Sequence, residues 1–229
     1  MKQGSTRAAA IVPAYNEEKT IAKVMEDLMK MGFEVVVVDD GSKDNTYNIA
    51  SNIIQENNHG FICKHLLNRG LGAALRTGIE ASLMEDPDVI VTFDADGQHD
   101  PQDILNVSKP IINGDADVVV GKRNFREMPL SKKLGNQIMN LITLIFYGIK
   151  VNDSQSGLRA FNRKAAESIM INARDYGVSS EIVGEVKRHN LKFKEVTIKT
   201  IYTEYSMTKG TNLSEGLKIL TKLIMNIFR

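Results

Sequence analysis

The sequence predicts an α/β protein built around a largely parallel sheet. Short apolar runs alternate with helical patterns through the first half of the chain, which is typical of βαβ units. Several of these runs end abruptly in acidic residues, as strands do at the ligand-binding edge of an open α/β sheet. With 229 residues, of which 42% are apolar and 25% charged, the chain is long enough for one substantial domain of this class.

The first two strand–helix units follow directly from the residue pattern. Ala8–Val12 is an apolar run that ends at Pro13, and Glu17–Met31 then places apolar residues at helical spacing. Phe33–Val38 is the most continuous β-type run of the sequence. A Gly-Ser turn follows it, and Asp44–Gln55 is the second predicted helix. Helical crossovers of this kind are what parallel strands require.

The alternation continues to about residue 122. We predict a third strand over Phe61–Leu66, a third helix over Gly70–Met84 and a fourth strand over Val89–Phe93. Val118–Val120 is the fifth predicted strand. The sequence then becomes more helical and amphipathic, and Phe193–Ile201 is the last predicted strand. Because no repeat or linker interrupts the pattern, we expect one domain.

Charge and cysteine content narrow the classes of function. A formal net charge of +1 is unlike the large basic excess of nucleic-acid proteins, so we expect no nucleic-acid partner. Cys63 is the single cysteine and cannot form an intramolecular disulfide, which favours a cytoplasmic location. The longest uncharged stretch, Leu134–Ile149, is shorter than the roughly 20 apolar residues that span a bilayer. We therefore expect contact with a membrane surface at most.

Three predicted strands end in polar clusters, at Pro13–Glu17, Asp39–Ser42 and Asp94–His99. A single aspartate after a strand is usually a helix cap or a turn former, and Asp39 alone fits that role equally well. The carboxyl ends of parallel strands meet at one edge of the sheet, however, so the three clusters are expected to lie together. Together they predict a ligand site.

The third cluster has the composition of a metal site. Asp94 and Asp96 flank Ala95 just past a buried strand, and Gly97 permits a sharp turn. Hard oxygen ligands of this kind suit Mg²⁺ or Mn²⁺, which bind carboxylates, waters and substrate phosphates. Gln98 adds an amide oxygen. The bound metal would bridge a diphosphate and stabilise charge on a departing nucleotide.

The order of these motifs resembles family 2 glycosyltransferases, and within them the dolichol-phosphate mannose synthase branch of polyprenyl-phosphate glycosyltransferases. The motifs that carry the resemblance are Val12–Glu18, Val38–Ser42, Asp94–Gln98, Gly121–Arg123 and Ser156–Phe161. The resemblance implies a GT-A fold in a single domain over residues 1–229. It further implies a nucleotide and metal half at about residues 8–122 and an acceptor half at about residues 123–229.

The resemblance also assigns site residues. Catalysis would depend on Asp96 and Arg123, and the planar guanidinium of arginine suits phosphate. The nucleotide-sugar site would consist of Pro13, Tyr15, Glu17, Asp40, Asp94, Ala95, Asp96, Arg123 and Lys209. The metal site would consist of Asp94, Asp96 and Gln98. The acceptor phosphate would meet Lys132, Lys133 and Arg159, where the two lysines stand in a segment in which the branch carries an arginine.

The function implied by the resemblance is transfer of one sugar, with inversion, from GDP-mannose or a UDP-sugar to a polyprenyl phosphate. An anionic phosphate acceptor needs no general base, and the second half of the chain shows no adjacent acidic pair that could supply one. One alternative is a family 2 enzyme that acts on a soluble or polysaccharide sugar acceptor. An alternative of another class is a nucleotide-sugar-binding protein without turnover.

Two amphipathic segments fit a lipid acceptor. Leu134–Ile149 is preceded by Lys132 and Lys133 and followed by Lys150, which could meet lipid headgroups, and the C-terminal segment carries a leucine stripe that begins at Leu213. Core packing or a homo-oligomer interface would explain either segment as well. The resemblance favours a peripheral position at the cytoplasmic face of a membrane.

Two further features give weaker signals. Asn68–Ala74 contains a Gly-x-Gly step before a helix but lacks the third glycine of a dinucleotide-binding fingerprint. We therefore interpret it as tight packing of a helix on the sheet beside the donor site. His99 could ligate a metal, but an exposed loop histidine is the commoner case and is our expectation.

Overall fold

The computed structural model describes residues 6–125, 128–173 and 177–201. The strands are β1 (Ala8–Ala14), β2 (Glu34–Asp39), β3 (Phe61–Lys64), β4 (Val89–Thr92), β5 (Val118–Arg123), β6 (Arg159–Asn162) and β7 (Phe193–Ile198). The helices are α1 (Ile21–Lys30), α2 (Thr46–Asn57), α3 (Leu71–Met84), α4 (Asp103–Ile112), α5 (Leu130–Tyr147), α6 (Arg163–Ser168) and α7 (Gly177–Arg188).

These strands form a seven-stranded sheet in the order β3-β2-β1-β4-β6-β5-β7. The pairs β1–β2, β1–β4, β2–β3 and β5–β7 are parallel, so the predicted largely parallel sheet is confirmed. The strand β6 runs antiparallel to both of its neighbours, β4 and β5, and was not predicted. Because β6 is reversed, its first residues lie at the same edge of the sheet as the last residues of β4.

The sheet is buried on both faces, which explains its continuous apolar strands. In β2, Val35 and Val37 belong to one hydrophobic cluster and Val36 to a second, as the alternation of side chains along a strand requires. The first cluster includes apolar residues of α1 and α4. The second includes apolar residues of α3, α6 and α7. The helices therefore cover the sheet on both sides and leave its carboxyl edge for a site.

Several predicted boundaries were wrong, and one has a clear cause. The first helix begins at Ile21 instead of Glu17, because Glu17 belongs to a turn in which its carbonyl oxygen accepts from the backbone N–H groups of Thr20 and Ile21. The third strand ends at Lys64 and the last at Ile198, short of the predicted ends.

Two predicted features fall outside the residues that the structure describes, namely Lys209 and the C-terminal leucine stripe. Of the helices within residues 6–125, 128–173 and 177–201, none combines the length and the apolar character that crossing a bilayer requires.

Candidate functional site

A cleft of about 420 Å³ opens at the carboxyl edge of the sheet. Its walls come from the ends of β1, β2, β4 and β5, the start of β6, and parts of α3, α5 and α7. The predicted site residues that line it are Pro13, Tyr15, Glu17, Asp40, Asp94, Ala95, Asp96, Gln98, Arg123, Lys132 and Arg159. Lys133 is half-buried on α5 and is not among the lining residues. The structure thus brings together side chains that are far apart in sequence.

At one end of the cleft, the motifs after β1 and β2 are joined by hydrogen bonds. The backbone N–H of Asn16 donates to Ser42 Oγ at 2.9 Å, and that of Glu17 donates to Thr46 Oγ1 at 2.8 Å. Asn16 adopts a φ of 56°, a left-handed conformation that asparagine tolerates better than most residues. These contacts explain why both motifs carry short polar residues, and they fix one wall of the cleft.

Asp40 is buried in this wall and organises the loop before α3. Its carboxylate accepts hydrogen bonds from the backbone N–H groups of Arg69 at 2.9 Å and Gly70 at 2.8 Å. His65 Nδ1 lies 2.7 Å from Asp40 Oδ1, and His65 Nε2 lies 2.9 Å from Thr77 Oγ1. Asp40 therefore shapes the rim of the cleft, a role that its sequence position did not reveal.

The Gly-x-Gly step is only partly what we expected. A Cβ atom added to Gly72 would lie 1.8 Å from the carbonyl oxygen of Ala173. The absence of a side chain at Gly72 therefore allows the segment before α7, and not the sheet, to pack closely against α3. Contact with the sheet is made one turn later, where a Cβ atom on Gly78 would lie 2.3 Å from Ile11 Cγ2. The interpretation of Gly72 as helix–sheet packing was therefore wrong.

Asp94 lies on the floor of the cleft in contact with His99. The His99 Nε2 atom is 3.2 Å from Asp94 Oδ2, and the imidazole packs edge-on against Phe93 with 5.3 Å between ring centres. His99 is only 5% exposed, so the expectation of an exposed loop histidine was wrong. Burial alone would raise the pKa of Asp94, but the hydrogen bond from His99 and the positive charges of His99, Arg159 and Arg123 lower it. Asp94 is thereby held as a carboxylate.

The reversed strand β6 brings a glycine against this carboxylate. Thr92 Oγ1 donates a hydrogen bond of 2.7 Å to the carbonyl oxygen of Gly157, just ahead of β6. A Cβ atom added at Gly157 would lie 1.9 Å from Asp94 Oδ2. The Ser-Gly motif was identified from the sequence, but the reason for its glycine, close approach to Asp94, required the structure.

Asp96 stands beside Asp94 and is held by Gln98. The Gln98 backbone N–H donates to Asp96 Oδ1 at 3.0 Å, and its side-chain amide nitrogen donates to Asp96 Oδ2. Burial and the negative charge of Asp94 raise the pKa of Asp96, and these outweigh the hydrogen bonds from Gln98 and the charge of His99. Two carboxylates that repel each other in one cleft create a position where a cation is favourable.

The donor set fits a divalent metal that is bound partly by substrate. Among the described residues, no three His, Cys, Asp or Glu side chains converge to hold a metal ion. Mg²⁺ and Mn²⁺ are commonly held by one or two carboxylates together with waters and substrate phosphates, and Asp94 with Asp96 supplies such a pair. Gln98 presents its amide nitrogen to Asp96, so its predicted role as an oxygen ligand stays a prediction.

Arg123 lines the same cleft and is fixed by a buried partner. Its Nε and Nη2 atoms donate to the two oxygens of Asp153 at 2.7 and 2.8 Å, and its backbone N–H donates to Oδ2 at 3.1 Å. Asn136 of α5 donates to Asp153 Oδ1 at 2.8 Å. Burial would raise the pKa of Asp153, but Arg123 and Asn136 lower it, so the pair stays charged. The Asp153 support was missed because it joins segments 30 residues apart.

Two more cations line the cleft. Lys132 is 9% exposed. Burial and the charge of Arg123 lower the pKa of Lys132, although the charge of Asp96 favours its protonated form. Arg159 is 2% exposed and donates from Nη2 to Ser179 Oγ at 2.6 Å. Burial lowers the pKa of Arg159 to about 10, which leaves it charged at neutral pH. The carboxylates of Asp94 and Asp96 and three cations thus line one cleft.

The sequence of this chain matches known proteins along most of its length. A family model described as glycosyl transferase family 2 matches residues 9–170. The UDP-N-acetylglucosamine–dolichyl-phosphate N-acetylglucosaminyltransferase of Methanococcus voltae is 44% identical to this chain over an alignment of 235 residues, gaps included. The alignment covers 94% of this chain and 94% of that protein. The polyprenol monophosphomannose synthase of Mycolicibacterium smegmatis is 26% identical over 224 residues, 92% of this chain and 84% of that protein.

The fold is also found among solved structures. Glucosyl-3-phosphoglycerate synthase from Mycobacterium tuberculosis, in complex with Mn²⁺, UDP-glucose and phosphoglyceric acid, superposes with a TM-score of 0.74 at 20% identity. The match covers 96% of this chain and 79% of that one. This likeness shows a common fold, and the predicted GT-A fold is thereby confirmed.

Proposed function

Because this chain belongs to glycosyl transferase family 2, we propose that it transfers one sugar, with inversion, from a nucleotide-diphosphate sugar to a polyprenyl phosphate. The donor would be a UDP-sugar or GDP-mannose. Relatives named for transfer to dolichyl phosphate and for synthesis of polyprenol monophosphomannose support this acceptor class. Residues 1–229 would form one catalytic domain.

The observation that carries the proposal is the presence of two carboxylates and three cations in one cleft. Transfer to a lipid phosphate brings two anionic phosphate groups together, and two unit charges about 4 Å apart repel by about 4 kcal/mol at an effective dielectric of about 20. Arg123, Lys132 and Arg159 supply positive charge in the same cleft as Asp94 and Asp96. This arrangement suits a reaction between two phosphates better than one with a neutral alcohol.

The acidic residues of the cleft also support an acceptor that needs no base. The acidic side chains that line it, within the described part of the chain, are Glu17, Asp40, Asp94 and Asp96. The Asp40 carboxylate accepts from the loop before α3, and Asp94 is paired with His99. An alcohol acceptor would have to lose a proton to a general base during attack, whereas a phosphate monoester is already an anion. An acceptor phosphate therefore matches the chemistry that this cleft offers.

We assign the nucleoside and the diphosphate of the donor to different residues of the cleft. The nucleoside lies against the wall formed by Pro13, Tyr15, Glu17 and Asp40, and the diphosphate lies between the carboxylates and Arg123. Asp94 and Asp96 would hold Mg²⁺ or Mn²⁺, and the bound metal would neutralise charge on the departing diphosphate. Arg123, oriented by Asp153, binds phosphate through its guanidinium. Lys132 meets the acceptor phosphate. The roles of Lys133 at the acceptor phosphate and of Lys209 at the nucleotide sugar stay predictions.

The acceptor would reach the cleft along α5. The outward face of this helix carries exposed Leu134, Leu141 and Ile145, at spacings that place them on one side, while Met139 and Ile142 on the other side are buried. An amphipathic helix of this kind can lie in the headgroup region of a bilayer. Lys132, which we expected at the headgroups, lines the cleft instead, so the apolar face would make the membrane contact.

Replacing both Leu141 and Ile145 with serine should weaken binding to liposomes by at least about thirtyfold, because each buried aliphatic side chain contributes on the order of 1–2 kcal/mol. Transfer to a polyprenyl phosphate in those liposomes should fall in parallel, while hydrolysis of the donor by water should change little. Sedimentation with liposomes and both activities would be measured on the same preparations.

The matched control replaces Leu105 and Ile112, two exposed apolar residues of α4, with serine. This control should bind liposomes as the unchanged protein does. If the α5 variant binds and transfers normally, or if the α4 variant is equally impaired, α5 is not the membrane contact. Efficient transfer to a soluble sugar by protein that ignores liposomes would favour a soluble or polysaccharide acceptor.

A further inference from the structure

Buried polar atoms without a partner are concentrated at the cleft. Across residues 6–125, 128–173 and 177–201, six buried side-chain nitrogen or oxygen atoms have no hydrogen-bond partner. Four of them belong to side chains that line the cleft, namely His99, Asn136, Arg159 and Thr200. Leaving such an atom unsatisfied in a buried position destabilises the protein. Their concentration in one place indicates a ligand that supplies hydrogen bonds there.

The Asn136 side chain offers an acceptor. Its amide nitrogen donates to Asp153 Oδ1 at 2.8 Å, and a carboxylate can only accept, so the orientation of the amide is fixed. The atom left without a partner is therefore the carbonyl oxygen Oδ1. Asn136 is 3% exposed, which makes the missing partner costly.

The Arg159 side chain offers a donor close to the same carboxylates. Its Nη2 atom is bonded to Ser179 Oγ, while its Nε–H has no partner. The guanidinium is surrounded by the charges of Asp94 and Asp153, which help to keep it protonated in a buried position. Ser179 lies near the start of α7 and also lines the cleft.

The chemistry of this pair of atoms discriminates between ligands. A diphosphate or a dianionic phosphate only accepts hydrogen bonds, so it could meet Arg159 but could not satisfy the oxygen of Asn136. A sugar hydroxyl both donates and accepts, and a pyranose ring presents several. We infer that Asn136, Arg159 and Ser179 form the subsite for the sugar ring of the donor. For Arg159 this assignment replaces the acceptor-phosphate role suggested by its sequence motif.

The position of these three side chains in the cleft also fits a sugar ring. Arg159 follows Gly157, which abuts Asp94, while Asn136 stands one helical turn after Lys132 on α5. The three side chains thus line the same cleft as the carboxylates assigned to the donor diphosphate and the lysine assigned to the acceptor phosphate. This is where the transferred sugar must lie if the proposed function, on which the inference rests, is correct.

The test compares the affinities of UDP and of UDP-N-acetylglucosamine or UDP-glucose by calorimetry with Mn²⁺. In Asn136→Ala, Arg159→Lys and Ser179→Ala, the Kd of the UDP-sugar should rise about tenfold, the effect of losing one well-made hydrogen bond. The Kd of UDP alone should stay within about twofold, a difference that general damage to the fold would not produce. Asn68→Ala, at the nucleotide end of the cleft, is the control and should change both affinities by the same factor.

The outcomes separate this inference from the proposed function. Equal losses of affinity for UDP and the UDP-sugar in the variants, or no loss at all, would overturn the subsite. If Asn136→Ala does not fold, Ser179→Ala decides the question, because it removes a single hydroxyl. Absence of binding by every UDP- and GDP-sugar would overturn the proposed function and the subsite together. Selective loss in a protein that does not transfer to lipid phosphate would leave the subsite standing and overturn only the proposed acceptor.

Discussion

Replacing Asp96 with alanine should lower kcat/KM by at least about a hundredfold, the scale of losing one strong electrostatic stabiliser of the transition state. The reason is that Asp96 would hold the metal that neutralises the departing diphosphate. The fold should persist, because the hydrogen bonds recorded for the Asp96 carboxylate come from Gln98, two residues away. Its removal also relieves repulsion with Asp94. Steady-state kinetics and a thermal melt of the same protein would measure both effects.

The metal dependence is tested alongside this variant. Chelation with EDTA should abolish activity of the unchanged protein, and Mn²⁺ or Mg²⁺ should restore it but should not rescue Asp96→Ala. Asp115→Ala is the matched control, because Asp115 is an exposed carboxylate that pairs with Lys194 away from the cleft. Full activity in EDTA, or near-normal turnover by Asp96→Ala, would refute the metal site.

The second large effect is expected from Gly157→Ala, a change of one methyl group. The added Cβ atom would lie 1.9 Å from Asp94 Oδ2, far inside contact distance, so Asp94 or the start of β6 must move. Activity should fall at least about a hundredfold, since misplacement of a catalytic group by about 1 Å can cost that much. Overpacking should also lower the free energy of unfolding by about 1–3 kcal/mol. Kinetics and denaturant titration would be compared.

Gly177→Ala is the control for a glycine substitution near the cleft. Among the residues that the structure describes, a Cβ atom at Gly177 would meet only Ala173 Cβ, at an ordinary 3.7 Å, and alanine favours the helix that begins there. Activity and stability should therefore be retained. If Gly157→Ala turned over donor normally, the close packing of the Ser-Gly motif against Asp94 would have no functional meaning.

The sequence predicted those parts of the molecule that depend on local pattern. The strands β1, β2 and β4 are continuous apolar runs, and the acidic residues after them lie together because parallel strands share an edge. The strand β6 was missed because four residues that pair with distant segments leave no periodic pattern. The GT-A fold itself was predicted from the ordered motifs, not from the periodicity.

The supporting contacts of the site could not be predicted for a related reason. The fit of Gly157 and the buried partner of Arg123 depend on contacts between segments that are distant in sequence, and the contact of His99 with Asp94 depends on how their loop folds. A histidine after a polar turn has the same sequence signal whether it is exposed or buried. The sequence shows which side chains are charged, but it does not show which residues pair with them.

The central claim is that the acceptor is an anionic lipid phosphate, and the most direct test compares two acceptors of the same chain length. A polyprenyl phosphate and the corresponding polyprenol would be offered in liposomes with Mn²⁺ and a nucleotide sugar, and products would be identified by mass spectrometry. We expect the phosphate to gain one sugar residue while the alcohol stays unmodified, because the cleft offers cations for a phosphate, and Asp40 and Asp94 are engaged by the loop before α3 and by His99. Transfer to the alcohol, or to a soluble sugar in preference to the phosphate, would contradict the account.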